Sequence, residues 1–262
     1  MFNSLKNSLF WPTIFGAILI SLWYGSIALF AIPEYQLPPL HRIAEAGFEE
    51  RNILLSGAGQ TLIACLIGFF TSVFGGVVLS VLLASNPWAY KGVYPYILIL
   101  KMTPVIVLAP IVILWAGQGL VSITIITFLI CFFPIVVNTT MGLRSTDPGL
   151  VDLFKVYNGN SWQELLWLRL PAALPFFMTG LRVAAALTPI GALYGDTVAG
   201  MGSSDEAGLG FVVMIFSAQF KVPALFAAAF TACSIGFMFV GLVNLFSWWV
   251  LHKWHDAYLG DE

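Results

Sequence analysis

The sequence predicts an all-α membrane protein with about six transmembrane helices. Hydrophobic residues make up 59% of the 262 residues and charged residues only 9%, whereas soluble domains contain roughly 45–50% apolar residues. Six stretches each contain about 20 largely apolar residues, which is the length that a helix needs to cross the hydrocarbon core of a bilayer. Polar segments separate these stretches, so each one is interpreted as a separate span.

The six predicted spans follow one another along the whole chain. They cover residues 11–32, 60–84, 93–115, 120–142, 172–195 and 224–251. The first span has only Lys6 before it and no A-x-A cleavage pattern after it, which favours an uncleaved anchor over a signal peptide. Residues 33–52 carry several charged residues with apolar residues interleaved at helical spacing, which predicts an extracytoplasmic helix along the membrane interface.

The distribution of Lys and Arg predicts that both termini lie in the cytoplasm. With the N-terminus inside, six basic residues fall on the cytoplasmic side and three on the other side, and loops rich in Lys and Arg favour the cytoplasm. The cytoplasmic set is Lys6, Lys91, Arg144, Lys155, Arg169 and Lys253, and the outer set is Arg42, Arg51 and Lys221. This orientation places residues 146–170 in the cytoplasm.

Residues 146–170, called the docking segment below, belong to the longest polar interruption between two apolar runs. Asp147 is a good N-cap, and Pro148 suits the first position of a helix. Apolar residues then recur at the i, i+3, i+4, i+7 spacing of an amphipathic helix. These residues are Leu150, Leu153, Phe154 and Tyr157. The pattern predicts a short helix whose apolar face lies outside the bilayer.

A second helix is predicted to follow within the docking segment. Asn158 and Gly159 both tolerate a left-handed backbone, which ends the first helix. Ser161 and Glu164 have the spacing of a capping box and open a helix that ends before Pro171. Because the apolar face of the first helix needs a partner on the water side, the segment is predicted to dock a cytoplasmic protein.

Four polar residues within the apolar runs are candidates for a translocation path. They are Lys101, Asn138, Arg182 and Asp196. Ionisable groups inside a bilayer are costly and usually face a cavity or one another. The alternatives are that Lys101 and Arg182 snorkel to the interface and that Asp196 is solvated or caps a helix. Prolines in the same runs free backbone groups that a water-filled path could satisfy.

The sequence argues against an enzyme, a metal protein and a nucleic-acid-binding protein. It contains no GxxxxGK[ST], GxSxG or HExxH motif, so no catalytic residue and no metal ligand is assigned. His252 and His255 lie at the end of the last span, where cations complement the helix dipole. Cys65, Cys131 and Cys233 lie in separate apolar runs and are predicted to be small buried hydrophobic residues. The formal charge of -2 is small and unclustered, which excludes a nucleic-acid surface.

Four stretches resemble the transmembrane permease subunits of ATP-binding cassette importers that depend on a substrate-binding protein. They are PVIVLAPIVILWAGQG (104–119), FFPIVVNTTMGLRSTDP (132–148), RLPAALPFFMTGLRVAAALTPIGALYGD (169–196) and GLGFVV (208–213). They look like the subgroup that serves nitrate, sulfonates, taurine and thiamine-related pyrimidines, in which a Glu usually stands at the position of Asp196. The resemblance extends over about the whole chain.

The docking segment is similar to the cytoplasmic signature of that family, which reads E-A-A, three residues, Gly, and ends in Leu-Pro. Anchored on residues 170–171, the signature places its glycine at Asn158 and its acidic residue at Asp152. Its two alanines fall on Leu153 and Phe154. The resemblance implies that the segment is a coupling helix pair that contacts an ATPase. The implied coupling residues are Asp152, Leu153, Phe154, Val156, Tyr157, Asn158, Gly159 and Trp162.

The resemblance also implies a location and a set of partners. The location is the bacterial cytoplasmic (inner) membrane, with several passes through the bilayer. The partners are a second permease subunit, identical or a sister chain, two cytoplasmic ATPase subunits that bind ATP and Mg, and an extracytoplasmic substrate-binding protein. No cofactor is implied for this chain. The solute stays open between nitrate, a sulfonate or taurine, and a pyrimidine or flavin-like precursor.

Two other classes of protein remain as alternatives. A stand-alone secondary transporter or channel would predict inverted repeats or a charge relay across several spans, and neither is visible in the sequence. A membrane scaffold would use the docking segment to hold a partner other than an ATPase.

Overall fold

A computed structural model describes residues 2–200 and 207–252, and these residues are almost entirely helical. The first helices are α1 (Phe2–Phe30), α2 (Leu40–Glu49), α3 (Arg51–Ser85), α4 (Pro87–Met102) and α5 (Val105–Ala116). They are followed by α6 (Leu120–Arg144), α7 (Pro148–Val156), α8 (Ser161–Glu164) and a π-helical turn (Leu165–Arg169). The last helices are α9 (Leu170–Ala199), α10 (Leu209–Ala218) and α11 (Val222–Leu251). The prediction of an all-α fold is confirmed.

The apolar helices agree in number with the predicted spans. Within the described residues, five helical stretches are long and apolar enough to cross a membrane, and one bent pair of helices adds a sixth. The five stretches are Phe10–Phe30, Arg51–Ser85, Leu120–Arg144, Ser161–Ala199 and Val222–Leu251. Each contains most of one predicted span, and the bent pair contains the remaining one.

The predicted third span, residues 93–115, is two helices rather than one straight helix. α4 and α5 meet at 100° across a short break. At this break Thr103 has φ −71° and ψ 125°, and Pro104 has φ −63° and ψ 114°, so both residues are extended. A proline ring clashes with a helical residue before it and supplies no N–H, which explains why α4 ends here.

The helix α6 packs closely against both α3 and α9. A Cβ on Gly68 of α3 would lie 2.6 Å from the side chain of Thr127 in α6. On the α9 side, a Cβ on Gly180 would lie 3.0 Å from the carbonyl oxygen of Pro134. Small residues allow helix backbones to approach in this way in lipid, where packing rather than hydrophobic burial drives association. These three helices therefore form a closely packed centre to which the other helices attach.

The interfacial segment predicted at 33–52 contains α2, which packs on the bundle. Ile43 of α2 is buried in a cluster with residues of α10 and α11. The Lys221 Nζ donates to Glu50 Oε1 at 2.7 Å, which joins the turn after α2 to the start of α11. The next helix, α3, begins at Arg51, well before the predicted start of the second span at residue 60.

The prediction that the cysteines are buried is confirmed for two of the three. Cys65 and Cys131 are buried, whereas Cys233 is exposed on α11. The prediction for Cys233 is wrong because the lipid-facing and core-facing positions of a membrane helix are both apolar, so hydropathy does not separate them. His255 and Lys253 lie outside the described residues, and the His252–His255 pair is therefore not described.

Candidate functional site

The first helix of the docking segment forms as the sequence predicts. Asp147 is the N-cap of α7, and the N–H of Gly149 donates to Asp147 Oδ1 at 2.7 Å. Pro148 occupies the first turn, where a missing N–H costs nothing. Asn158 ends the helix in a left-handed conformation with φ 55°, which asparagine tolerates better than most residues. These local interactions fix α7 as a rigid element outside the apolar bundle.

Phe154 and Gly159 hold the turn after α7 together. A Cβ on Gly159 would lie 2.5 Å from Cδ1 of Phe154, and the N–H of Gly159 donates to the carbonyl oxygen of Phe154 at 2.9 Å. Phe154 is half-buried. Glycine is therefore required at position 159 for the close approach of this ring, and Phe154 stabilises the segment itself as well as lining its surface.

The capping box of the second helix lies one residue earlier than the sequence suggested. The N–H of Gln163 donates to Asn160 Oδ1 at 2.8 Å, and the N–H of Asn160 donates to Gln163 Oε1 at 2.9 Å. Ser161 is the first residue of α8 instead of its cap. The predicted Ser161–Glu164 box is wrong because Asn caps a helix as well as Ser does, and the turn at Asn158 sets the register.

The second helix does not end before Pro171, and this prediction is also wrong. α8 continues through the π-helical turn into α9, and the N–H of Leu170 donates to the carbonyl oxygen of Leu165, five residues earlier. A π-helical turn inserts one extra residue into the helix. The insertion lies directly before Pro171, where the proline lacks an N–H and its ring crowds the preceding turn. The docking segment is thereby joined to a spanning helix without a loop.

Glu164 is paired with Arg169 across this π-helical turn. The Nε of Arg169 donates to Glu164 Oε1 at 2.6 Å, and its Nη1 lies 3.5 Å from the carbonyl oxygen of Leu143 near the end of α6. Both charged side chains are partly buried. Arg169 therefore links the docking segment, the start of α9 and the end of α6.

The exposed side of the docking segment forms an apolar groove of about 380 Å³. Its lining residues are Leu153, Phe154, Tyr157, Gly159, Gln163 and Trp167. Tyr157 is 79% exposed and Trp167 is 76% exposed, although large aromatic side chains are normally covered. Val156 and Trp162 are exposed as well but do not line the groove, and Asp152 pairs with Lys155 at 3.1 Å on the surface. The predicted coupling residues thus share one segment, but only part of the set forms a concave surface.

The four predicted translocation residues do not converge on one point. Lys101 is exposed in the last turn of α4, next to the bend. The Nδ2 of Asn138 donates to the carbonyl oxygen of Pro134 at 2.7 Å, so this side chain forms a hydrogen bond within its own helix. Arg182 is half-buried on α9, and Asp196 lies fourteen residues further along the same helix, which corresponds to about 21 Å.

Asp196 caps α10 instead of being solvated. It is 2% exposed, its Oδ1 accepts from the N–H of Gly208 at 3.1 Å, and its Oδ2 accepts from the N–H of Phe211 at 2.8 Å. A carboxylate at a helix N-terminus satisfies free N–H groups and favours the positive end of the helix dipole. The sequence left two alternatives for Asp196, a solvated side chain and a helix cap, and the structure shows the cap.

Two further polar residues share a cavity with Asp196. Gln60 and Thr61 of α3 line this cavity of about 240 Å³ together with the start of α6. Sequence reasoning missed both residues because they lie at the start of an apolar run, where polar residues are unremarkable. Gln60 and Thr61 are far from Asp196 in the sequence, so it is the tertiary fold that brings these three residues together.

The fold and its exposed segment together define a class of protein. A bundle of apolar helices carries an amphipathic, rigidly capped helix that stands outside the bundle, between two spanning helices. Such a molecule is a polytopic membrane protein with an exposed amphipathic segment at one end of its helical bundle.

The comparison with known proteins gives this class a family. The model of the protein family described as "Binding-protein-dependent transport system inner membrane component" matches residues 76–251. The chain belongs to this family, and it is a permease subunit of a binding-protein-dependent ATP-binding cassette importer in the inner membrane. The resemblance inferred from the sequence is confirmed, and the reading as a stand-alone transporter receives no support. The family is not enzymatic, because its ATPase activity belongs to partner chains.

Three relatives match most of the chain. It is 30% identical over 249 residues to a probable ABC transporter permease protein of Haemophilus influenzae, covering 95% of this chain and 98% of the relative. It is 34% identical to the formylaminopyrimidine transport permease protein ThiX of Halalkalibacterium halodurans, covering 87% and 89%. It is 30% identical to the riboflavin transport system permease protein RibX of Chloroflexus aurantiacus, covering 83% and 80%.

A solved structure supports the fold. The inward-facing MetNI methionine ABC transporter aligns with a TM-score of 0.58 at 18% identity, covering 75% of this chain and 97% of the chain compared. At this identity the likeness concerns the fold alone.

Proposed function

We propose that this permease pairs with a second permease subunit and with two cytoplasmic ATPase subunits, which bind ATP and Mg. An extracytoplasmic binding protein delivers the solute. Both termini lie in the cytoplasm, as the basic residues favour, so the docking segment meets the ATPase and α2 lies on the outer side. The solute crosses the membrane by alternating access as the ATPases close and open.

The observation that carries this proposal is the apolar groove of the docking segment. Leu153, Tyr157 and Trp167 present apolar surface on a rigid, capped frame, and exposed apolar patches of this kind mark protein interaction sites. The π-helical turn and the Arg169 contacts connect this frame directly to α9 and α6. A movement of the docked ATPase is therefore passed to the spanning helices, since the docking segment continues into α9 without a loop.

We further propose that the solute is a small nitrogen heterocycle of the pyrimidine or flavin-precursor class. Two relatives, at 34% and 30% identity over most of the chain, are named for a formylaminopyrimidine and for riboflavin. Neither Lys101 nor Arg182, the two cations that would favour an anion, lines the cavity that contains Asp196.

The docking role is tested with the double variant Leu153→Ser, Tyr157→Ala, co-expressed with the cognate ATPase and binding protein. Both side chains are exposed and Phe154 is left in place, so the segment keeps its fold. We expect the ATPase to be lost on purification and ATP-driven uptake to fall, with membrane insertion unchanged. Trp88→Ala is the matched control, because Trp88 is an 83% exposed aromatic residue at the start of α4, outside the groove. Full uptake and an undiminished ATPase yield in the double variant would contradict the proposal.

A further inference from the structure

The cavity that contains Asp196 lies at the end of the bundle opposite to the docking segment. Residues of the first part of α3, the start of α6 and the last part of α9 line it. Gln60, Thr61 and Asp196 form its polar edge. Ala64, Leu120 and Ile123 form its apolar wall. A polar edge opposite an apolar wall is the usual composition of a small-molecule site.

Each polar residue keeps hydrogen-bonding capacity for a ligand. Asp196 accepts backbone N–H groups on both oxygens, but an ionised carboxylate has about four acceptor positions. Thr61 accepts the N–H of Leu209 on its Oγ1 at 2.9 Å, so its hydroxyl hydrogen is still able to donate. The carboxamide of Gln60 makes no hydrogen bond with another residue that the structure describes. It therefore offers both a donor and an acceptor.

The charge of the cavity selects against anions. Asp196 is the ionisable side chain among the described lining residues, and no Lys or Arg accompanies it there. Like charges at close range repel strongly where little water screens them. A nitrate or sulfonate would meet this carboxylate without a compensating cation. A solute that carries N–H donors would instead find acceptors on Asp196 and Gln60.

The volume of the cavity is suited to a single ring. An engineered cavity of about 150 Å³ holds one benzene molecule, and drug-sized ligands occupy sites of about 300–1,000 Å³. At about 240 Å³ this cavity accommodates one six-membered ring with small substituents. The fused three-ring system of a flavin exceeds that size.

We propose that this cavity is a solute subsite of the permease, specific for a single-ring nitrogen heterocycle with amino or ring N–H groups. Gln60 and Asp196 bind its polar edge, and Ile123 and Leu120 contact its ring. The proposal rests on the proposed function and narrows it, because it names an uncharged or cationic aminopyrimidine as the solute rather than an anion or a flavin. It also gives the permease a part in selection in addition to that of the binding protein.

The test uses the complete importer, purified with its ATPases in detergent, and radiolabelled 4-amino-2-methylpyrimidine as the probe. We expect saturable binding of the probe without the binding protein, and competition by excess unlabelled probe but not by taurine or nitrate. Gln60→Leu is expected to weaken binding about two- to thirteenfold, because a hydrogen bond contributes about 0.5–1.5 kcal/mol. Gln60 bonds to no other described residue, so this variant keeps the fold. Gln219→Leu, an exposed glutamine outside the cavity, is the control and should bind as the wild type.

A second measurement, ATP-driven uptake in proteoliposomes with the binding protein, distinguishes failure of the subsite from failure of the proposed function. Wild-type affinity in Gln60→Leu, or no binding of the probe to the wild-type complex, would overturn the subsite, while uptake of the pyrimidine would still support the proposed function. Uptake of nitrate or taurine without uptake of the pyrimidine would overturn both the subsite and the proposed solute class. Weakened binding in Gln60→Leu with intact binding in Gln219→Leu would support the subsite.

Discussion

The guanidinium carbon of Arg144 lies 3.7 Å from the centre of the Tyr90 ring. Tyr94 stacks on Tyr90 with the ring centres 4.7 Å apart. Arg144 is the last residue of α6, directly before the docking segment, whereas both tyrosines lie on α4, which ends at the 100° bend. We therefore expect a displacement of the docking segment to reach the bent helix pair through this contact.

The Arg144–Tyr90 contact is expected to contribute to coupling. Tyr90→Leu should reduce the solute taken up per ATP hydrolysed about two- to fivefold, because a cation–π contact at an exposed site contributes about 0.5–1 kcal/mol. Tyr90→Phe keeps the ring and should remain close to the wild type. The measurement is uptake and phosphate release in the same proteoliposomes. Equal behaviour of the Leu and Phe variants would show that the ring face is not what couples the two helices.

Gly159 is expected to be intolerant of any side chain. A Cβ there would lie 2.5 Å from Cδ1 of Phe154, and overpacking of this kind costs about 1–3 kcal/mol. Gly159→Ala should therefore displace Phe154, deform the groove and reduce the yield of co-purified ATPase. Gly92→Ala is the control, because a Cβ on Gly92 of α4 meets no atom within 4 Å. A wild-type ATPase yield in Gly159→Ala would mean that the groove does not depend on this packing.

The Glu164–Arg169 pair is expected to stabilise the junction between the docking segment and α9. Glu164→Gln leaves a partly buried guanidinium without its anion, and hydrogen bonds to charged groups contribute about 1.5–3 kcal/mol. The midpoint of thermal unfolding of the purified complex should fall by several degrees. If the two residues interact, Arg169→Met combined with Glu164→Gln should be hardly less stable than either single variant. Strictly additive effects would argue against the pair.

Local sequence signals predicted the parts of the fold that local physics determines. The spans follow from hydropathy because a bilayer requires long apolar helices. The helix α7 follows from the Asp147 cap, Pro148 and Asn158, whose effects act within one turn. The bend in the third span had a sequence signal in Pro104, but its angle depends on how α4 and α5 pack on the bundle.

Tertiary contacts explain what the sequence could not predict. Asn160 and Ser161 were equally good caps, and the turn after Asn158 decided between them. Glu164 pairs with Arg169, which also contacts the end of α6. The capping-box spacing of Ser161 and Glu164 was therefore coincidental. Gln60 approaches Asp196 only because α3 and α9 both pack against α6. A cavity of this kind has no signature in a single sequence.

Asp196 is expected to hold the N-terminus of α10 in place. Asp196→Asn keeps the shape of the side chain but turns an NH₂ group toward one of two N–H donors, and loss of an N-cap costs about 0.5–2 kcal/mol. Hydrogen exchange at the amides of Gly208 and Phe211 should accelerate about two- to thirtyfold, since local opening governs their protection. Thr179→Val is the matched control, because Thr179 is exposed in the first half of α9, far along the helix from α10, and its hydroxyl donates to the carbonyl oxygen of Pro175 in its own helix. Unchanged exchange in Asp196→Asn would show that other contacts hold the N-terminus of α10 and would contradict this prediction.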